Sequence, residues 1–295
     1  FTISLLLLAA GVVGFTTARS LPFMFGLVLI AGLGQGGVDL GANLLVADAF
    51  PQNNTSYLNL LHFFFGLGAF IGPALVGVSL RSIGSGRIVH WVAAGIFVLL
   101  AAFTVLLGRT PHKKTDLSSE RTATAQGMQV YFSPLLWVMG GLILVYVGLE
   151  YGLGTWTTRY MDITTGMSGQ YGSLVASAYW GALTLGRLAG SAVSRKMSRM
   201  QLLFVALLSA WMGIIGLSLS MERTTLTILF LVWIGFSFGT VYPTGVALVA
   251  AAFPRSQGKA VGVLAAMGSI GGLILPWLEG ILLEDSLLTR SENRL

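Results

Sequence analysis

Five polar residues interrupt otherwise apolar stretches and carry groups that exchange protons or hydrogen-bond a polar solute: Asp39, Asn43, Asn59, His62 and Glu150. Asp39 and Asn43 are four residues apart, and Asn59 and His62 three apart, so each pair shares one face of a helix. Trp156 and Tyr242 add aromatic faces. Moving a carboxyl out of water favours its protonated form, so an acid inside an apolar helix is suited to carrying a proton. This set suits binding and ion carriage, not bond making. The sequence holds no Ser/His/Asp, zinc or P-loop constellation, implies no cofactor, and has no Cys, which excludes a thiolate metal site. Gly32-Leu33-Gly34-Gln35-Gly36-Gly37 matches a dinucleotide-binding pattern but lies in an apolar run with no strand before it. Small residues admitting a neighbouring helix are the better reading.

Each polar residue also has a plainer reading. Asp39 could instead be a packing residue paired with a cation, and His62 a hydrogen-bond partner of an adjacent helix. Glu150 would be solvated if it lay near the outer surface. Aromatics such as Trp156 and Tyr242 also populate interfacial belts. Ionisable groups in lipid are expensive, however, and usually face a cavity. The expectation is that Asp39, Asn59, His62 and Glu150 face a common central space.

The elements that position them are membrane helices. Apolar residues make up 55% of the chain, charged residues 9%, and mean hydropathy is +0.81. A soluble domain carries about a quarter charged residues, so most of this chain must meet lipid. The net charge of +6 does not point to nucleic acid, because the cations fall in short loops. Nine apolar runs are long enough to read as spans, at 1–18, 22–47, 57–80, 88–108, 131–153, 168–193, 201–220, 225–250 and 259–283. Alternating the runs places nine loop cations, among them Arg195, Lys196, Arg199, Arg255 and Lys259, on one side and five on the other. The positive-inside rule makes the first side cytoplasmic, as in a multi-pass protein of the plasma (inner) membrane.

A repeat organises these runs. Ala49-Phe50-Pro51 recurs 203 residues later as Ala252-Phe253-Pro254, and 15 identities fall between positions 32 and 77 without a gap. Pro51 and Pro73 match Pro254 and Pro276, and prolines are the informative matches in a chain so rich in Gly and Ala. Asp39 maps onto Tyr242. Two same-sense copies predict two parallel-repeat bundles, 1–108 and 131–295, joined by a cytoplasmic loop at 109–130. By the same offset, about nine of twelve helices are expected here, the first two and the last being absent. The stretch from Gly186-Arg187-Leu188 to Arg195 and Arg199 reads as a topogenic loop whose cations suit a gating latch between bundles.

The residues now permit a resemblance. Gly36-Gly37-Val38-Asp39 with Asn43, Tyr57-Leu58-Asn59-Leu60-Leu61-His62 before Phe65-Gly66, Gly72-Pro73, Tyr146-Val147-Gly148-x-Glu150 with Trp156, and Tyr179-Trp180-Gly181 with Gly186-Arg187-Leu188 resemble the fucose permease and sodium-dependent glucose transporter branch of the major facilitator superfamily. The resemblance implies an all-α polytopic membrane fold and a secondary transporter, not an enzyme. It gives Asp39 the proton-coupling role. Asn43, Asn59, His62 and Glu150 would hydrogen-bond a sugar-like solute, with Trp156 or Tyr242 stacking on its apolar face. The coupling ion is expected to be a proton, with sodium the alternative. A multidrug or organic-anion exporter, or a non-transporting sensor of the same fold, are the competing readings.

Overall fold

The computed structural model describes residues 1–107, 129–167, 169–220 and 223–292. The loop expected at 109–130 lies outside the described residues, except that its end joins a 3₁₀ turn at Gln129–Phe132. Among the described residues the regular structure is helical: α1 (Thr2–Thr17), α2 (Leu21–Ala49), α3 (Asn54–Ile83), α4 (Arg87–Leu107), α5 (Pro134–Thr165), α6 (Gly169–Val193), α7 (Arg199–Leu219), α8 (Thr224–Phe238), α9 (Val241–Ala252) and α10 (Gln257–Glu292). Among the described residues seven spans, one of them formed by α8 and α9 together, are long and apolar enough to cross a membrane. Large apolar side chains such as Leu29, Leu33, Leu99 and Trp277 stay exposed on them, as lipid contact requires.

The repeat is visible in the helix ends. Shifting by 203 residues carries Leu21 to Thr224, Ala49 to Ala252 and Asn54 to Gln257, each pair bounding equivalent elements. The copies differ at one place. α2 runs through unbroken, whereas its counterpart pauses at Gly239–Thr240 between α8 and α9. Proline has no amide proton and its ring crowds the carbonyl four residues back. Pro243 therefore disrupts the ladder at Gly239, while the first copy has Leu40 in that place.

The chain divides into two compact units, one of residues 1–45 and 68–125, the other of residues 46–67 and 126–295. The first half of α3 groups with the second unit. In the first unit α1 packs on α4, with Thr2 and Thr104 sharing a hydroxyl hydrogen bond of 2.8 Å. Of the Gly-rich run in α2, Gly34 meets the backbone of α1 at Ser4 and Leu8, and Gly32 and Gly36 meet nothing. In the second unit a core of Leu136, Ile143, Tyr179, Leu231, Ile234 and Leu264 joins α5, α6, α8 and α10.

α6 crosses the α8–α9 pause at backbone contact. A Cβ on Gly186 would collide with the carbonyl of Phe236, and one on Gly239 with the backbone of Leu183 and Arg187. Gly186→Ala is accordingly expected to destabilise the protein by about 1–3 kcal/mol, the usual range for overpacking. Its unfolding midpoint in detergent, compared with that of Gly181→Ala, where the added carbon meets nothing, checks this.

Candidate functional site

α5 extends twelve residues beyond the run read from sequence, to a left-handed Gly166 whose amide caps the carbonyl of Asp162. Glu150 thus falls at mid-helix, not near a mouth, and it is buried. Its partner is Arg187 on α6, 37 residues away, with Nη2 donating to Oε1 at 3.0 Å. The two side chains are only 4% and 5% exposed. Arg187, grouped by sequence with the loop cations, lies two turns inside α6 because that helix continues to Val193. Its Nη1 donates to the backbone carbonyl of His62 at 3.1 Å, and its guanidinium carbon stands 5.7 Å from the ring centre of Phe65. One cation thus ties α3, α5 and α6 together.

Tyrosines complete the surround. Tyr179 Oη donates to the carbonyl of Glu150 at 3.0 Å. Tyr146 Oη donates to the carbonyl of Phe238, the last residue of α8, at 2.9 Å, supplying a donor where the helix ladder is interrupted. His62 meets Tyr242 edge to face, with ring centres 5.1 Å apart. Asn59 is fully buried, and its Nδ2 donates to the carbonyl of Thr55. Thr240 and Asn59 both approach the α-carbon of Gly190 on α6, one turn beyond Arg187.

Four buried polar atoms here have no hydrogen-bond partner among the described residues: Asn59 Oδ1, Arg187 Nε, Thr240 Oγ1 and Thr244 Oγ1. Buried polar atoms are nearly always satisfied, so this is a concentrated exception. The threonines escaped the sequence reading. Hydroxyls are common in membrane helices, and the repeat drew attention to Tyr242 between them.

Trp156 donates its indole N–H to the carbonyl of Pro276 at 2.7 Å, bridging α5 to α10 in place of a free aromatic face. Arg195 is exposed in the α6–α7 connection. Arg199 reaches the segment before α3, with Nε 3.0 Å from Asn54 Oδ1 and Nη2 3.4 Å from the carbonyl of Pro51. In the first unit, Asn43 is buried and its amide donates to Asp39 Oδ1 at 3.1 Å and to the Asp39 carbonyl at 2.9 Å. Asp39 is half-buried.

Comparison with known proteins decides the family. The Major Facilitator Superfamily profile matches residues 1–286. The chain belongs to that superfamily. It is therefore an integral, multi-pass membrane transporter, not an enzyme. The cyanate transport protein CynX of Escherichia coli is 29% identical over 95% of this facilitator and 71% of its own length. A putative glucose/galactose transporter of Helicobacter pylori is 25% identical over 99% of this chain and 68% of its own. Sodium-dependent glucose transporter 1 of Xenopus laevis is 19% identical over 95%, of which this chain spans 62%. The crystal structure of FucP in the outward conformation superposes with a TM-score of 0.78 at 18% identity, covering 95% of this facilitator and 75% of FucP. That likeness shows the fold.

Proposed function

We propose that this facilitator moves a sugar-like solute by alternating access, in symport with a proton. The observation that carries the solute class is the set of four unpartnered buried atoms: one acceptor, one donor and two hydroxyls that serve as either. The charges beside them, Glu150 and Arg187, balance each other. A neutral polyhydroxylated solute presents the same mixture of donors and acceptors and would satisfy them. His62 and Tyr242 would supply the aromatic edge of the binding surface. Asp39 would carry the proton, held in place by Asn43. The relatives named for glucose, galactose and sodium-dependent glucose transport support the solute class. FucP of E. coli, a fucose:proton symporter of the same fold, supports both the solute and the ion.

Gating would fall to the segments where Arg199 meets Asn54 and Pro51 and where Ser56 Oγ donates to the carbonyl of Ser191 at 2.7 Å. These bonds would have to break for the cytoplasmic side to open, with Arg195 remaining in solvent.

The test is counterflow of radiolabelled hexoses into proteoliposomes of the full-length protein, with and without a pH gradient. Asn59→Ala or His62→Ala should weaken solute binding by about 1–3 kcal/mol per lost buried partner, read as a raised half-saturation concentration. One observation favours a second reading, a small anion: Arg187 Nε is a buried cationic donor without a partner among the described residues, and the cyanate transporter is among the relatives. Counterflow of labelled cyanate with no counterflow of any hexose would replace the sugar reading with this one.

A further inference from the structure

A cavity of about 520 Å³ opens at the end of the second unit where α3 and α7 begin and α6 and α9 finish. Asn53, Ser194 and Arg199 supply polar lining, and Met197, Met200 and Leu248 supply apolar lining. Convergence of four helix ends places it at the boundary of the membrane-spanning segments, on the side the cation bias makes cytoplasmic. The amide ends of α3 and α7 are offset by the carbonyl ends of α6 and α9, so the local field comes from side chains. Those are one-sided. Across 46–60, 190–202 and 248–260 the charged residues are Arg195, Lys196, Arg199, Arg255 and Lys259 against Asp48 alone. All but Arg199 are exposed. The two bonds to Asn54 and Pro51 fix the Arg199 guanidinium at the cavity wall.

We propose that this cavity holds the phosphate headgroup of an anionic membrane phospholipid. Arg199 receives the phosphate, the four exposed cations add long-range attraction, and the methionines and Leu248 take the glycerol and upper acyl segments. Basic pockets between helices on the cytoplasmic side suit such headgroups, and the mixed lining fits a lipid better than a free anion. A lipid bound here touches both the segment before α3 and the α6–α7 connection. It therefore favours the arrangement in which these are joined over one in which they part.

The experiment is native mass spectrometry of the detergent-purified full-length protein titrated with phosphatidylglycerol or phosphatidylcholine. The expected result is preferential retention of phosphatidylglycerol. That preference should fall about five-fold in Arg199→Gln and about thirty-fold in the double variant Arg195→Gln/Lys196→Gln, as about 1 kcal/mol for each basic residue near a membrane surface implies. The double variant leaves the Arg199 hydrogen bonds intact and so guards against a folding defect in Arg199→Gln. Arg159→Gln, which removes an exposed cation paired with Asp162 on α5, should bind as wild type does. Equal retention of the two lipids, or undiminished retention in both cavity variants, overturns the proposal. Displacement of the lipid by millimolar inorganic phosphate would also overturn it, by showing that the site takes a soluble anion.

Discussion

Arg187→Ala is expected to destabilise the protein by about 3–5 kcal/mol, because it strands the Glu150 carboxylate without its buried counter-ion. It would also remove the donor to the His62 carbonyl and loosen α3 from α6. The double variant Glu150→Gln/Arg187→Gln should recover more than half of that loss, since two neutral amides at similar volume leave no unpaired charge. Unfolding midpoints in detergent for Glu150→Gln, Arg187→Gln and the double give the coupling energy directly. Single losses that simply add in the double variant would mean that the 3.0 Å contact contributes nothing to the fold. Arg187→Lys should rescue only partly, because an ammonium cannot engage Glu150 and the His62 carbonyl through a rigid fork.

The second large effect concerns coupling. Asp39→Asn keeps the shape of the protonated acid and fixes its charge at zero. Uptake driven by a pH gradient should fall from accumulation to mere equilibration. Counterflow, which needs no proton release, should persist near the wild-type level. Both are measured in vesicles of the full-length protein with the hexose that wild type carries. Wild-type accumulation by Asp39→Asn would remove Asp39 from the coupling role, and replacing sodium in the medium would then decide whether that ion drives transport.

Much of the fold was legible in the sequence because lipid imposes a simple code of length and apolarity, and because a duplication wrote it twice. Pro51 and Pro254 fall in the same turn of the two copies, whereas Pro73 and Pro276, expected to close the helix, lie inside α3 and α10, which run on past them. The end of α5 was harder to place. The apolar run ends at 153, yet nothing stops the helix before Gly166. α6 ends at Val193, as the 168–193 run does, so Arg187 lies inside the helix although its charge grouped it with the loop cations. Its pairing with Glu150 could not be read at all, since partners on different helices leave no periodic trace. The unpartnered oxygens of Thr240 and Thr244 depend on the α8–α9 pause, which a proline at 243 announces but does not locate against α6.

The Glu150–Arg187 pair also bears on how the chain enters the membrane during synthesis. α6 is not one of the seven strongly apolar spans found among the described residues; it carries Gln170, five glycines and a guanidinium in its C-terminal third. Presented alone, Arg187 would oppose partitioning into lipid by about 2.5–3.5 kcal/mol if held at the helix centre. α5 precedes α6 with only residues 166–168 between them, so the two can leave the insertion machinery as a hairpin with their opposite charges already matched. Substituting Glu150 should therefore lower the yield of correctly threaded protein before any solute is met. A drop in steady-state abundance in such variants would be a defect of biogenesis, to be separated from any defect of transport.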